Sequence, residues 1–106
     1  MKIKVSEAEG GVLDRLVNMA DGLHGVLAPV AYSSNWSFGG PIIEREKIDI
    51  TYYPDKSHVD GGVWLAEYVT ETQDIDQFGP TPLIAAMRCF VASRLGEEVE
   101  IPEEVK

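Results

Sequence analysis

Gly79-Pro80-Thr81-Pro82-Leu83-Ile84-Ala85-Ala86-Met87-Arg88-Cys89-Phe90-Val91-Ala92 is the stretch that decides the fold. Thr81 suits a helix N-cap. Pro82 takes the first helical position, where its missing N–H costs nothing, and Gly96 ends the run. The residues between them are apolar on almost every side of a helix. Such a helix is buried on most sides, either at the centre of the fold or in a subunit interface. One charge interrupts it. The guanidinium of Arg88 keeps its proton and is costly to bury without a counter-charge. The reading predicts an anion beside Arg88, supplied by the protein or by a ligand.

Working outward, Lys2 to Val5 alternates charged and apolar residues and reads as a short strand. Ser6-Glu7-Ala8-Glu9 has capping-box spacing, with Ser6 as N-cap and Glu9 reaching back. Val12, Leu13, Leu16, Val17 and Ala20 follow at helical spacing, and Gly22 stops that helix. Gly10-Gly11 weakens its first turn and argues for a later start. Gly25 to Ala31, interrupted by Pro29, reads as an edge strand or extended segment. Tyr32 to Pro41 reads as a loop by composition, yet it carries Trp36 and Phe38. A loop with two large aromatics either covers the core edge or binds something. Ile48, Ile50 and Tyr52 alternate with polar residues as a half-buried strand, and Val63 to Val69 is its hairpin partner across the polar segment from Pro54 to Asp60. Thr70 to Phe78, polar and acidic, reads as a surface loop. Val99 and Ile101 are expected to tuck an extended tail against the body. The fold class is α+β: one small, mostly antiparallel sheet with two helices packed on one face.

The chain has 106 residues, which suits one domain spanning 1–106 with an acidic C-terminal tail over 97–106. Its net charge is -9, so attraction to nucleic-acid phosphates is not expected. The acidic end, with Glu97, Glu98, Glu100, Glu103 and Glu104, is either a solvated terminus or a mimic of nucleic acid presented to a basic partner. No apolar run is long enough to cross a bilayer, and Met1 to Val5 lacks a secretion signal's apolar stretch, so a cytoplasmic protein is expected. Cys89 is the single cysteine, which excludes an internal disulfide, and it reads as a small buried hydrophobe rather than a nucleophile. His24 and His58 have no partner at zinc-ligand spacing. No phosphate loop with a lysine, nucleophile elbow or cysteine pair occurs, so neither an enzyme nor a cofactor is expected.

Two long motifs carry a resemblance. The first runs from Tyr32-Ser33-Ser34-Asn35-Trp36-Ser37-Phe38-Gly39-Gly40-Pro41 to Ile42-Ile43-Glu44-Arg45-Glu46, and the second runs from Gly79 to Gly96 and on through Glu98-Val99-Glu100-Ile101-Pro102. Together with Met1 to Glu7 they resemble the NinX-like family of small proteins from lambda-type phages and their prophages. Val12-Leu13-Asp14-Arg15-Leu16-Val17 departs from the family's usual pattern, with Arg15 where a tryptophan is expected, and the segment from Leu23 to Ala31 is short for the family. The resemblance implies a phage accessory protein acting inside a bacterial host, of uncharacterised function, with no catalytic residues to carry over.

The residues themselves suggest a ligand site. The start of the apolar helix at Thr81 offers free N–H groups and the positive end of a dipole. Arg88 lies two turns further on. Tyr32 and Trp36 offer surfaces for stacking on a base, Ser33 and Asn35 hydrogen-bonding groups, and Gly39-Gly40 a close backbone approach. Glu44 is the alternative partner of Arg88, in a salt bridge that would fix the loop on the helix. The set suits a nucleotide-like host molecule sequestered by a homo-oligomeric, non-enzymatic protein, with counter-defence as its setting. The competing expectation is an acidic interaction protein that binds and modulates a host protein.

Overall fold

The computed structural model describes residues 1–22, 30–54 and 64–101. In chain order the elements are β1 (Lys2–Lys4), a 3-10 turn (Val5–Glu7), α1 (Gly10–Ala20), α2 (Trp36–Glu46), β2 (Asp49–Tyr52), β3 (Trp64–Val69), β4 (Asp74–Gly79), α3 (Pro82–Leu95) and β5 (Glu98–Glu100). The fold is α+β, with two small antiparallel sheets, β1–β5 and β2–β3–β4. The polar connection after Pro54, most of the segment from Gly25 to Ala31, both histidines and residues 102–106 lie outside the described residues.

α3 is the hub. Thr81 caps it by accepting a hydrogen bond from the Ile84 N–H at 3.0 Å. Leu83 and every residue from Ala85 to Ala92 are buried. β2, β3 and β4 pack on α3 from one direction, and α1, α2 and the 3-10 turn cover the rest. An almost wholly apolar helix thus finds its cover inside one chain, so α3 gives no ground for expecting a second copy. The expected arrangement of two helices on one sheet face changes accordingly: α3 lies on the sheet, and α1 and α2 pack on α3.

Three local readings are corrected. The Ser6–Glu9 capping box does not form. Residues 5–7 make a 3-10 turn, α1 is capped at Glu9 without a side-chain hydrogen bond, and Gly10 turns the chain at φ +59°. α1 then buries Leu13, Leu16 and Val17 as its spacing predicts. The second correction is α2, a helix where composition suggested a loop. Asn35 caps it by accepting from the Ser37 N–H, and Lys47 ends it in the left-handed conformation. Lys47 N–H donates to Glu44 O and Ile48 N–H to Ile43 O, the paired bonds of a Schellman motif. The third is β4, read as surface loop, which pairs with β3 along its whole length around a turn held by Thr70 Oγ1. The C-terminal expectation holds: Val99 and Ile101 are buried, and β5 pairs with β1 with Ile3 opposite Val99.

The three helices are also tied by charge. Arg45 donates to Asp21 Oδ1 at 3.0 Å and to Glu46 Oε2 at 2.8 Å, while Arg94 reaches the same Glu46 oxygen at 2.7 Å. Both guanidiniums stand over the Phe90 ring, 5.6 and 5.1 Å from its centroid. Burial pushes the Glu46 carboxyl up, but the hydrogen bonds and charges of the two arginines outweigh it and hold the group below its usual value. A carboxyl depressed in the folded state stabilises fully above its unfolded value and loses that contribution as pH falls through its folded one. Both arginines are about half exposed, so Glu46→Gln is expected to cost about 1–2 kcal/mol near neutrality. Thermal melts should show the gap between variant and wild type narrowing as pH falls below about 4.5, the ordinary value of the group. A gap independent of pH would mean that the charge on Glu46 contributes nothing.

Candidate functional site

Arg88 is buried, as its helix requires, at 3% exposure. Its partners are not those expected. Nε donates to Ala8 O and Nη1 to Phe78 O, each at 2.8 Å. Burial lowers its affinity for the proton, and the negative charges of Glu9 and Glu7 work the other way. The counter-charge is therefore two carbonyl dipoles and two nearby carboxylates. Glu44 is exposed on α2 and forms no ion pair with Arg88. The cation stitches the approach to α1 onto β4 and is not aimed at the tryptophan-bearing segment.

The rest of the predicted set divides. Tyr32 and Ser33 are buried and serve the fold. The Tyr32 hydroxyl donates to Asn18 Oδ1 at 3.1 Å, and the Ser33 N–H donates to Asp14 Oδ1 at 2.8 Å, so both dock the start of α2 onto α1. Burial pushes the Tyr32 hydroxyl's pKa up, with Asp21 and Asp14 adding to the effect. Gly39 does permit a close approach, but of protein to protein. A Cβ there would collide with Tyr32 O and stand 2.7 Å from Leu83 Cδ1. The missing side chain lets the first turn of α2 sit against the first turn of α3.

Asn35, Trp36 and Thr81 are exposed, and Gly40 is half-buried beneath the Trp36 ring, its Cβ position 3.7 Å from Cε3. Trp36 is 54% exposed and Phe38 42%. Gly39 against Leu83 brings two helix starts together, and Trp36 and Phe38 stand exposed on the first turn of α2, on different sides of it; Arg88, Tyr32, Ser33 and Glu44 are not part of this group. Phe38 was absent from the expected set. Its signal is its place two residues after Trp36 in a helix whose buried positions are Gly39 and Ile42.

Other chemistry is thin. The Cys89 thiol is pushed up to about 12, chiefly by burial, with Asp76 and Glu67 adding to the effect, and it donates to Ile75 O at 3.4 Å. It is held as a thiol, consistent with a packing role. Among the described residues no group of three or more His, Cys, Asp or Glu side chains can hold a metal ion. A shallow cleft of about 490 Å³ runs past Lys2, Lys4, Glu7, Glu9 and Val12. Its charges are of both signs and favour neither an anion nor a cation. No helix among the described residues is long and apolar enough to cross a membrane.

No curated protein matches the chain. A family model described as Bacteriophage P22, NinX matches residues 28–94, which takes in α2, all of the β2–β3–β4 sheet and α3 as far as Arg94. The match covers more than half of the chain, including both aromatics of the exposed helix start and the helix that organises the core. The protein therefore belongs to the NinX family of phage proteins.

Proposed function

We propose that this phage accessory protein acts in its host by binding rather than by catalysis, and that it sequesters a small anionic, nucleotide-like molecule where α2 and α3 begin. The observation that carries this reading is the convergence of two helix starts beside open aromatics. Gly39 against Leu83 sets the first turns of α2 and α3 together, with Trp36 and Phe38 exposed on the same turn of α2. The caps take one N–H at each start, Ser37 by Asn35 and Ile84 by Thr81, so the attraction for a phosphate comes chiefly from two dipoles with adjacent positive ends. An indole face suits a base. Arg88 plays no part, so affinity rests on the helix dipoles and stacking.

Calorimetry against cyclic and ADP-ribose-derived nucleotides, the kind of signal used in bacterial immunity, tests the reading. One member of the panel is expected to bind well below millimolar. Trp36→Ala should weaken that binding by about 10-fold or more, from the loss of one stacking contact. Its unfolding midpoint should barely move, because the ring is more than half exposed. If nothing in the panel binds better than about millimolar, the ligand reading fails.

The second reading is an acidic interaction protein that contacts a host protein. The net charge of -9 favours it. The C-terminal acids that first suggested it are partly engaged, however. Glu100 pairs with the Met1 amino group and Glu98 lies 4.0 Å from Lys2 Nζ. Further acid lies on the sheet, at Asp49, Glu67, Asp74 and Asp76.

A further inference from the structure

We propose that the face of the β2–β3–β4 sheet turned away from α3 is a docking surface for a basic, extended segment of a partner protein. The inference rests on the second reading above and supplies its surface. The pleat sorts the strands into two faces. Ile50, Ala66, Tyr68 and Ile75 point into the core against α3. The opposite face carries Asp49, Glu67 and Asp76 in one cross-strand row, since Asp49 pairs with Glu67 and Glu67 with Asp76. Asp74 and Val69 form the next pair along, and Val69 is 62% exposed. Every acid of the three strands therefore lies on this one face, and none of the strands contains a lysine or arginine. Among the described residues no salt bridge neutralises any of the four carboxylates. The next row of this face, Thr51, Leu65 and Phe78, is partly covered, with Leu65 buried and the Phe78 ring against Tyr53, so the docking surface is the acid-bearing end of the face.

Like charges directly opposite one another on neighbouring strands destabilise a sheet. The arrangement is thus a standing cost to the free protein that a cationic partner removes. The occupant follows from the chemistry. A second copy presenting the same face would set carboxylate against carboxylate. Nucleic acid is repelled. A metal ion is not favoured, because the described acids do not converge into a ligand set. An extended segment with lysine or arginine at alternate positions matches the strand repeat, and a small apolar residue between them can rest on Val69.

The test is a titration of the isotope-labelled full chain with a peptide of alternating lysine and valine, followed by amide chemical shifts, with an alternating glutamate–valine peptide as control. The expected result is a set of shifts centred on residues 49–51, 65–69 and 74–78 with the basic peptide and none with the acidic one. A sheet variant combining Asp49→Asn, Glu67→Gln and Asp76→Asn should bind the basic peptide at least tenfold more weakly and unfold at a higher temperature. A tail variant combining Glu97→Gln, Glu103→Gln and Glu104→Gln changes the net charge equally and should lose less than twofold. Equal losses in the two variants, or shifts centred away from the sheet, would overturn the proposal, as would a sheet variant that melts below wild type. Trp36→Ala should leave the peptide titration unchanged, so failure of the nucleotide reading and failure of this one are told apart.

Discussion

Arg88→Met is expected to lower the stability of the protein by about 2–5 kcal/mol. The guanidinium supplies donors to Ala8 O and Phe78 O, and each buried hydrogen bond from a charged group is worth about 1.5–3 kcal/mol. Methionine fills most of the stem's volume but returns neither donor. Lysine keeps the charge but offers a compact ammonium in place of a planar fork. It can satisfy one carbonyl well, so Arg88→Lys should recover less than half of the loss. Chemical denaturation of the three proteins measures both effects. A methionine variant within about 0.5 kcal/mol of wild type would show that the carbonyls find other partners and that the arginine is dispensable to the fold. Nucleotide affinity, measured where the variants are still folded, should not follow Arg88, because its partners lie on the approach to α1 and on β4.

The second large effect is expected at Gly79, the last residue of β4. A Cβ there would stand 2.6 Å from Ala85 N, 2.8 Å from Ala85 Cα and 3.1 Å from Ala85 Cβ. Two of these atoms are helix backbone and cannot rotate away, so Gly79→Ala must lift the first turn of α3 off the sheet. Overpacking of this kind costs about 1–3 kcal/mol, and the rigid contact places Gly79→Ala at about 3 kcal/mol. Gly40→Ala is the matched control. Its Cβ would meet the Trp36 ring at an ordinary 3.7 Å, and alanine suits a helix better than glycine. That variant should be neutral or slightly stabilising. Equal destabilisation by the two substitutions would remove the steric argument for Gly79.

The parts of the fold legible in the sequence were those where one signal dominated. α3 declared itself by a cap, a proline and an apolar run broken only by Arg88. β2 did so by period-two alternation, β3 by its β-branched and aromatic residues, and the body of α1 by Leu13, Leu16 and Val17. α2 was hidden because Ser37, Gly39, Gly40 and Pro41 all disfavour a helix one residue at a time. Tertiary contact decides there, since Gly39 is needed against α3 and Ile42 is buried. The helix also ends on Lys47, where a glycine would have announced the stop. β4 was hidden because its inward residues are Ile75, Gln77 and Gly79, a weak apolar signal set among aspartates. For the site, the need of Arg88 for negative partners was legible and their identity was not. Backbone carbonyls can come from any residue, so no side chain advertises them. The exposed tryptophan was singled out by its composition-defying place, while the row of carboxylates across the sheet becomes visible only when strand register is known.

The burial of α3 on all sides by its own chain has a consequence for biosynthesis. α1, α2 and the β2–β3–β4 hairpins all leave the ribosome before the helix they enclose. Until residues 82–95 emerge, the inward faces of Leu13, Leu16, Ile42 and Ala66 lack the helix they close on, and chains interrupted upstream of Pro82 leave them open to chaperones and proteases. The core therefore cannot be completed until residues 82–95 are available.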